Sequence, residues 1–111
     1  MFKIRKQQME VLNQKMAADF DSRIYQYLMK TYPDVLKGTP TQDVEKSIQA
    51  GIRRAAMYGL IAEYDVARFI DLMYLLSPDF DSNPKTSWIR AVLDDPEVHP
   101  RQKMDLIYEK A

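Results

Sequence analysis

Apolar residues recur three or four positions apart at Met9, Leu12, Met16, Phe20, Ile24 and Tyr27, with Gln, Lys, Asp and Arg filling much of the space between them. Such a stripe predicts one long amphipathic helix over about Lys3 to Thr31. Pro33 closes it, because the residue before a proline is pushed out of the α region, and a short turn around Asp34 to Leu36 precedes Gly38. Thr39-Pro40-Thr41-Gln42 then carries a start signal: a Thr cap, a proline at the first helical position and a Gln three residues after the cap, as a capping box requires. The second helix runs to about Tyr58 on a line of Val44, Ile48, Ile52 and Ala55 or Ala56. Gly51 beside that line offers close approach to a neighbouring backbone, and Gly59 suits the left-handed position just past a helix end.

The next segment, about Glu63 to Leu76, spreads Val66, Phe69, Ile70, Met73, Tyr74, Leu75 and Leu76 over more than the ~100° stripe of a surface helix, which predicts the central, most buried helix. Glu63 and Asp65 in its first turn complement the helix dipole, and Ser77-Pro78 ends it. Asn83 is placed to cap a fourth helix with Pro84 as its first residue and Trp88, Ile89, Val92 and Leu93 as its inner face. A final short helix from Pro100 presents Met104, Ile107 and Tyr108. No segment alternates apolar and polar residues between hairpin turns. The expectation is therefore all-α: one domain over 1–111, a bundle of four to five helices in which a long N-terminal amphipathic helix (1–32) joins a helical core (39–111). At ~1.5 Å per residue the first helix would extend roughly 43 Å, longer than its neighbours can cover, so its N-terminal third is expected to face a partner or a second copy.

A chain of 111 residues suits one core. The 46% hydrophobic content and the seven Tyr, four Phe and one Trp place it among globular rather than disordered chains. Sixteen basic residues balance sixteen acidic ones, which argues against nucleic acid as a partner, since a binder of phosphates needs a basic excess. The local bias of Lys3, Arg5 and Lys6 reads as a solvated helix start. The absence of cysteine removes disulfides, thiol nucleophiles and zinc–thiolate sites. The basic opening is followed by no apolar run of about 7–15 residues, and nothing approaches the ~20 apolar residues of a membrane span. A soluble, cytoplasmic protein without a membrane partner is expected.

Few constellations suggest chemistry. Asp79, Asp81 and Asn83 reproduce the alternate oxygens that begin a calcium-binding EF-hand loop, but Pro84 stands in place of the required glycine and Arg90 in place of the bidentate Glu. A structural turn is the better account, with Phe80 plugging the core and Asn83 capping the next helix. Glu63, Asp65, Arg68 and Asp71 gather carboxylates and a guanidinium near Tyr64, with Arg68 and Asp71 three apart. Without a visible apolar pocket to raise a carboxyl pKa, these read as solvated or locally paired charges. His99 stands alone beside Pro100, where it suits a helix cap rather than a metal or catalytic role. The seven Met residues and the cluster Tyr25, Tyr27 and Tyr32 read as core filling, except where a face is uncovered, as at Met1, Phe2 and Met9. No catalytic, cofactor or metal residue is assigned, and the expected activity is non-enzymatic.

From Gly51 to Leu93 the chain resembles a group of small uncharacterised bacterial proteins. Gly51, Ile52, Tyr58, Gly59, Asp65, Val66, Arg68, Phe69, Leu72, Met73, Pro78, Phe80, Asp81, Pro84 and Trp88 carry the likeness, and the opening MFKIRKQQM resembles that group's start. Leu60 and Ser77 depart from the pattern, which has Ile and Gly there. Such proteins resemble accessory products encoded beside type VI secretion spike and effector genes. The resemblance implies an adaptor or chaperone that binds an effector or spike component, with Phe2, Ile4, Arg5, Met9 and Leu12 as the candidate docking residues of the first helix. Self-association through that helix is the other partner expectation. The alternative function is an immunity protein that meets a toxin's basic cleft with Asp79, Asp81, Asp94 and Asp95. A small hydrolytic or metal enzyme built on Glu63, Asp65, Asp79 or His99 is the third and least favoured class.

Overall fold

The computed structural model describes residues 6–110, with side chains over 19–110. Every regular element among them is helical: α1 (Lys6–Thr31), α2 (Pro33–Lys37), α3 (Thr41–Met57), α4 (Glu63–Leu75), a 3₁₀ turn at Pro84–Thr86, α5 (Ser87–Leu93) and α6 (Pro100–Lys110). The all-α expectation holds. The count is six rather than four to five because the turn after Pro33 closes into a helix of its own, α2. Tyr32 leaves the α region (φ −126°, ψ 55°) ahead of Pro33 and breaks the ladder there.

Helix α4 forms the axis of the bundle, with every residue from Asp65 to Met73 buried. α3 lies antiparallel to it, since Ser47 meets Tyr74 (2.7 Å) near one end and Gly51 meets Ile70 further along. α1 runs parallel to α4, from Arg23 against Glu63 to the stacked rings of Tyr32 and Tyr74, 5.8 Å apart. α6 also runs parallel, from Arg101 against Asp65 to Tyr108 against Asp71. Phe20, Ile24 and Tyr27 are the described part of the α1 stripe; Phe20 and Ile24 are fully buried and Tyr27 half-buried, while Leu28, which the stripe did not include, is buried beside them. Met9, Leu12 and Met16 lie outside the described side chains.

Local signals account for most of the boundaries. After α3, Gly59 takes φ +81°, Leu60 N–H bonds Ala55 O and Gly59 N–H bonds Ala56 O, both at 3.0 Å. This is the Schellman arrangement, with Leu60 buried beneath it. Asn83 Oδ1 accepts from Lys85 N–H at 2.9 Å, and His99 Nδ1 accepts from Arg101 N–H at 3.2 Å, so both serve as the expected caps. Phe80 plugs the core, fully buried, 4.8 Å ring to ring from Phe69. Buried Lys103 donates to Leu93 O (2.7 Å) and Tyr58 O (3.3 Å), placing a cation at the C-terminal carbonyls of α5 and just past α3.

Three local expectations fail. The capping box at Thr39 to Gln42 does not form: α3 starts from the Pro40 carbonyl with no side-chain cap, and the Thr39 hydroxyl donates backwards to Val35 O (2.8 Å). α2, standing immediately before it, offers a bare carbonyl that competes for that hydroxyl. At Gly51 the close neighbour is side chain rather than backbone, since a Cβ there would sit 2.6 Å from Ile70 Cγ1 and 3.0 Å from Met73 Sδ. Trp88 leaves the inner face of α5 and is 37% exposed, because the buried line runs through Ile89 and Leu93 and puts Trp88 on its flank with Val92.

Candidate functional site

The four charged residues of α4 are buried rather than solvated, and the expected local pairing holds for Arg68 with Asp65, three residues before it. Glu63 is fully buried and accepts from both terminal nitrogens of Arg23 at 2.5 Å, while Arg23 Nε pairs with Asp19 at 3.0 Å. Such a two-pronged contact gives a guanidinium–carboxylate pair its fixed geometry. Asp65 accepts from Arg101 Nε (2.5 Å) and Arg68 (3.2 Å), and Arg68 reaches on to Asp105 (2.7 Å). Arg68 thus pairs with Asp65, three residues before it, and not with Asp71, three residues after. The Tyr64 ring lies 4.5 Å from the Arg68 guanidinium and 4.9 Å from that of Arg101.

Asp71 is left for three phenols. Tyr27 (2.9 Å) and Tyr32 (2.7 Å) donate to its Oδ1, and Tyr108 (2.6 Å) to its Oδ2, so one carboxylate on α4 ties down α1 and α6 together. Burial, reinforced by Asp71, raises the pKa of all three phenols. Tyr58 is pushed up to about 12 by burial and by its bond to Asp81 (2.9 Å). These groups hold their protons through the neutral range, and the arrangement serves as an adhesive between helices. Of the expected aromatic cluster, Tyr27 and Tyr32 meet at Asp71, while Tyr25 packs half-buried against the core.

The turn at Asp79 to Asn83 does not gather its oxygens. Asp79 is exposed and accepts from Ser77 (2.9 Å) and Asn83 (3.4 Å), bonds that hold its carboxyl below the usual range. Asp81 turns inward to Arg54 and Tyr58. Among the described residues no group of three His, Cys, Asp or Glu is placed to hold a metal ion, and no helix is long and apolar enough to cross a membrane. The acidic face built on Asp79, Asp81, Asp94 and Asp95 loses Asp81 to the interior, and Asp94 pairs with Arg90 at 2.7 Å.

The candidate docking residues Phe2, Ile4 and Arg5 lie outside the described residues, and the side chains of Met9 and Leu12 lie outside those described. What the sequence did not flag is an open groove of about 1310 Å³ between α1 and α3, lined by Asp21, Ser22, Tyr25 and Gln26 from one helix and by Thr41, Gln42, Glu45, Lys46, Gln49, Ala50 and Arg53 from the other. Asp21 Oδ2 accepts from the Gln49 amide, and Oδ1 has no donor among the described residues. Its pKa is raised by burial, opposed by the Gln49 bond and reinforced by Glu45. The polar positions recur at i, i+4 on both helices, but which outer faces meet is a tertiary matter that spacing alone does not reveal. A second surface feature is the pair Met57 and Ile61, 81% and 60% exposed, flanking the Gly59 turn.

No protein-family model, no curated protein and no solved structure matches this chain.

Proposed function

We propose that this protein is a non-enzymatic, protein-binding helical module that acts as an adaptor or chaperone for a type VI secretion effector or spike component. The observation that supports the reading most is how the fold distributes its groups. Glu63, Asp65, Arg68, Asp71 and Asp81 are each engaged by an opposite charge or a tyrosine within the bundle, whereas Met57 and Ile61 are left bare beside the α3–α4 turn. Apolar anchors that water surrounds in the free protein are what a partner desolvates on docking. The same reading includes the long N-terminal amphipathic helix, with Phe2, Ile4, Met9 and Leu12 as anchors and Arg5 giving orientation. The carriers of the resemblance include Phe69, Leu72 and Phe80, all buried, so it transfers architecture more directly than partner identity. The immunity alternative is weakened by the inward turn of Asp81.

Co-expression with the genes beside its own, followed by purification on a C-terminal tag and mass measurement of the complex, tests the proposal. A stoichiometric spike or effector protein that is lost when Phe2, Ile4 and Met9 are together replaced by Ala, with helicity retained, supports it. A partner that survives the triple replacement refutes the N-terminal face. A clean homodimer, or rescue of cells from a neighbouring toxin, replaces the adaptor with self-association or immunity.

A further inference from the structure

Met57 is the most exposed of the methionines whose side chains are described. It is 81% exposed, against 46% for Met29 and 5% for Met73, and Met104 is fully buried. It closes the last turn of α3, and Ile61 stands bare across the Gly59 turn from it. One turn earlier on the same helix face, four residues before it, is Arg53. Arg53 is exposed and enters no ion pair or hydrogen bond among the described residues, whereas Arg23, Arg54, Arg68, Arg90 and Arg101 each meet a carboxylate. Its neighbour one turn the other way, Gln49, is already bonded to Asp21. A free guanidinium thus stands beside an exposed thioether, which offers it only a weak acceptor.

We propose that Met57 is a site of reversible oxidation by hydrogen peroxide, with Arg53 as the group that holds the oxidised side chain. The thioether sulfur attacks the peroxide, the O–O bond breaks as an S–O bond forms, and the departing hydroxide takes the proton from the transferred oxygen and leaves as water. Sulfur loses two electrons and peroxide gains them. Sulfoxide reductases reverse the step while a dithiol becomes a disulfide. The sulfoxide oxygen is a strong acceptor on a flexible side chain, one helical turn from the Arg53 N–H donors, and the bond between them is charge-assisted. Met57 lies outside the core at the last residue of its helix, so α3 accepts the change without unfolding, whereas an oxygen on Met73 or Met104 would enter the bundle. The consequence rests on the protein-binding reading. Oxidation makes Met57 polar and ties it back to Arg53, so the bare pair with Ile61 loses one of its two apolar anchors and a partner that desolvates the pair is released.

The test is a hydrogen peroxide time course on the nitrogen-labelled full chain, read by peptide-mapping mass spectrometry and by NMR. Met57 is expected to gain one oxygen about tenfold or more faster than Met73 and Met104, following their exposures. The Arg53 Nε–H resonance is expected to shift as it does so, to return on treatment with sulfoxide reductases, and to stay in place in peroxide-treated Met57→Leu, which keeps every other methionine. Met73 or Met104 oxidised as fast as Met57, or an Arg53 resonance that never moves or moves equally in Met57→Leu, overturns the proposal. A partner that co-purifies should bind the oxidised parent about tenfold or more weakly, as for loss of an apolar anchor, and oxidised Met57→Leu should be spared. Equal binding, or an equal loss in Met57→Leu, overturns the release of the partner. If no partner co-purifies, the adaptor reading falls, and the oxidation site is decided by the oxygen gained at Met57 and by the Arg53 resonance.

Discussion

Raising the pH through 10 attacks this fold at its tyrosines. Tyr27, Tyr32 and Tyr108 donate to Asp71 and Tyr58 donates to Asp81. Burial and these carboxylates raise all four phenol pKa values above the ordinary 10.0, that of Tyr58 to about 12. Because the folded values are the higher ones, the native state keeps its protons while the unfolded chain loses them. The stabilisation is whole below pH 10 and is lost as the pH climbs towards the folded values. At about pH 11, each phenol that ionises only on unfolding favours the unfolded chain by ~1.4 kcal/mol. Solvent screens the half-buried rings in part, so the four together amount to roughly 3–6 kcal/mol, a large share of the ~5–15 kcal/mol that holds a domain of this size. In an alkaline titration the circular dichroism should therefore be lost together with the ionisation of these four phenols, in a transition that begins above pH 10. Asp71→Asn, which removes the charge that restrains three of the phenols, should bring both signals to lower pH. If the complete signal of all seven tyrosines develops near pH 10 while helicity is unchanged, the phenols are not held by the fold as described.

Other perturbations separate the remaining contributions. Gly51→Ala gains up to ~1 kcal/mol of helix propensity but sets a methyl 2.6 Å from Ile70 Cγ1, on a fully buried branched side chain. Overpacking at ~1–3 kcal/mol wins, and denaturant unfolding should show a net loss of about 1 kcal/mol. Equal or greater stability would mean that α3 and α4 part easily. Arg23→Met strands the fully buried Glu63 and should cost about 3–5 kcal/mol. Adding Glu63→Gln should recover much of that loss, and a single variant as stable as the parent would show that the pair is not buried as found. Asp21→Asn tests the sign at the groove. With the carboxyl pKa raised by burial, the native protein binds the proton more tightly than the unfolded chain, so its stability falls as the pH rises through the folded value. The Asn variant should match the parent in acid and exceed it at neutral pH, and a difference that persists in acid would exclude the linkage.

The features legible in the sequence are those decided within a few residues. Pro33 forces Tyr32 out of the helix, Gly59 takes the left-handed turn, and Asn83 and His99 accept from backbone two residues on. The central position of α4 was legible for a different reason: apolar residues on more than one face leave a helix no side to turn to water. Local logic stops where two partners are equally near in sequence. Arg68 has an aspartate three residues before it and another three after, and periodicity does not choose between Asp65 and Asp71. The choice is made from outside α4, by Tyr27 of α1, Tyr32 just past it and Tyr108 of α6, which converge on Asp71, and by Arg101, which joins Arg68 on Asp65.

The same limit explains Asp79 and Asp81, two aspartates in one turn of which only the second meets Arg54 and Tyr58, and Thr39, whose hydroxyl is claimed by α2 rather than α3. It also explains the groove. Asp21 looks like an ordinary surface aspartate of an amphipathic helix, and it is the packing of α3 that half-buries it, bonds it to Gln49 and raises its pKa. Where the fold resolves its charges it does so across helices, at Glu63, Asp65, Asp71 and Asp81. At the groove the same crossing of helices brings Gln49 onto Asp21 and Glu45 near it, a meeting that neither helix's own spacing shows.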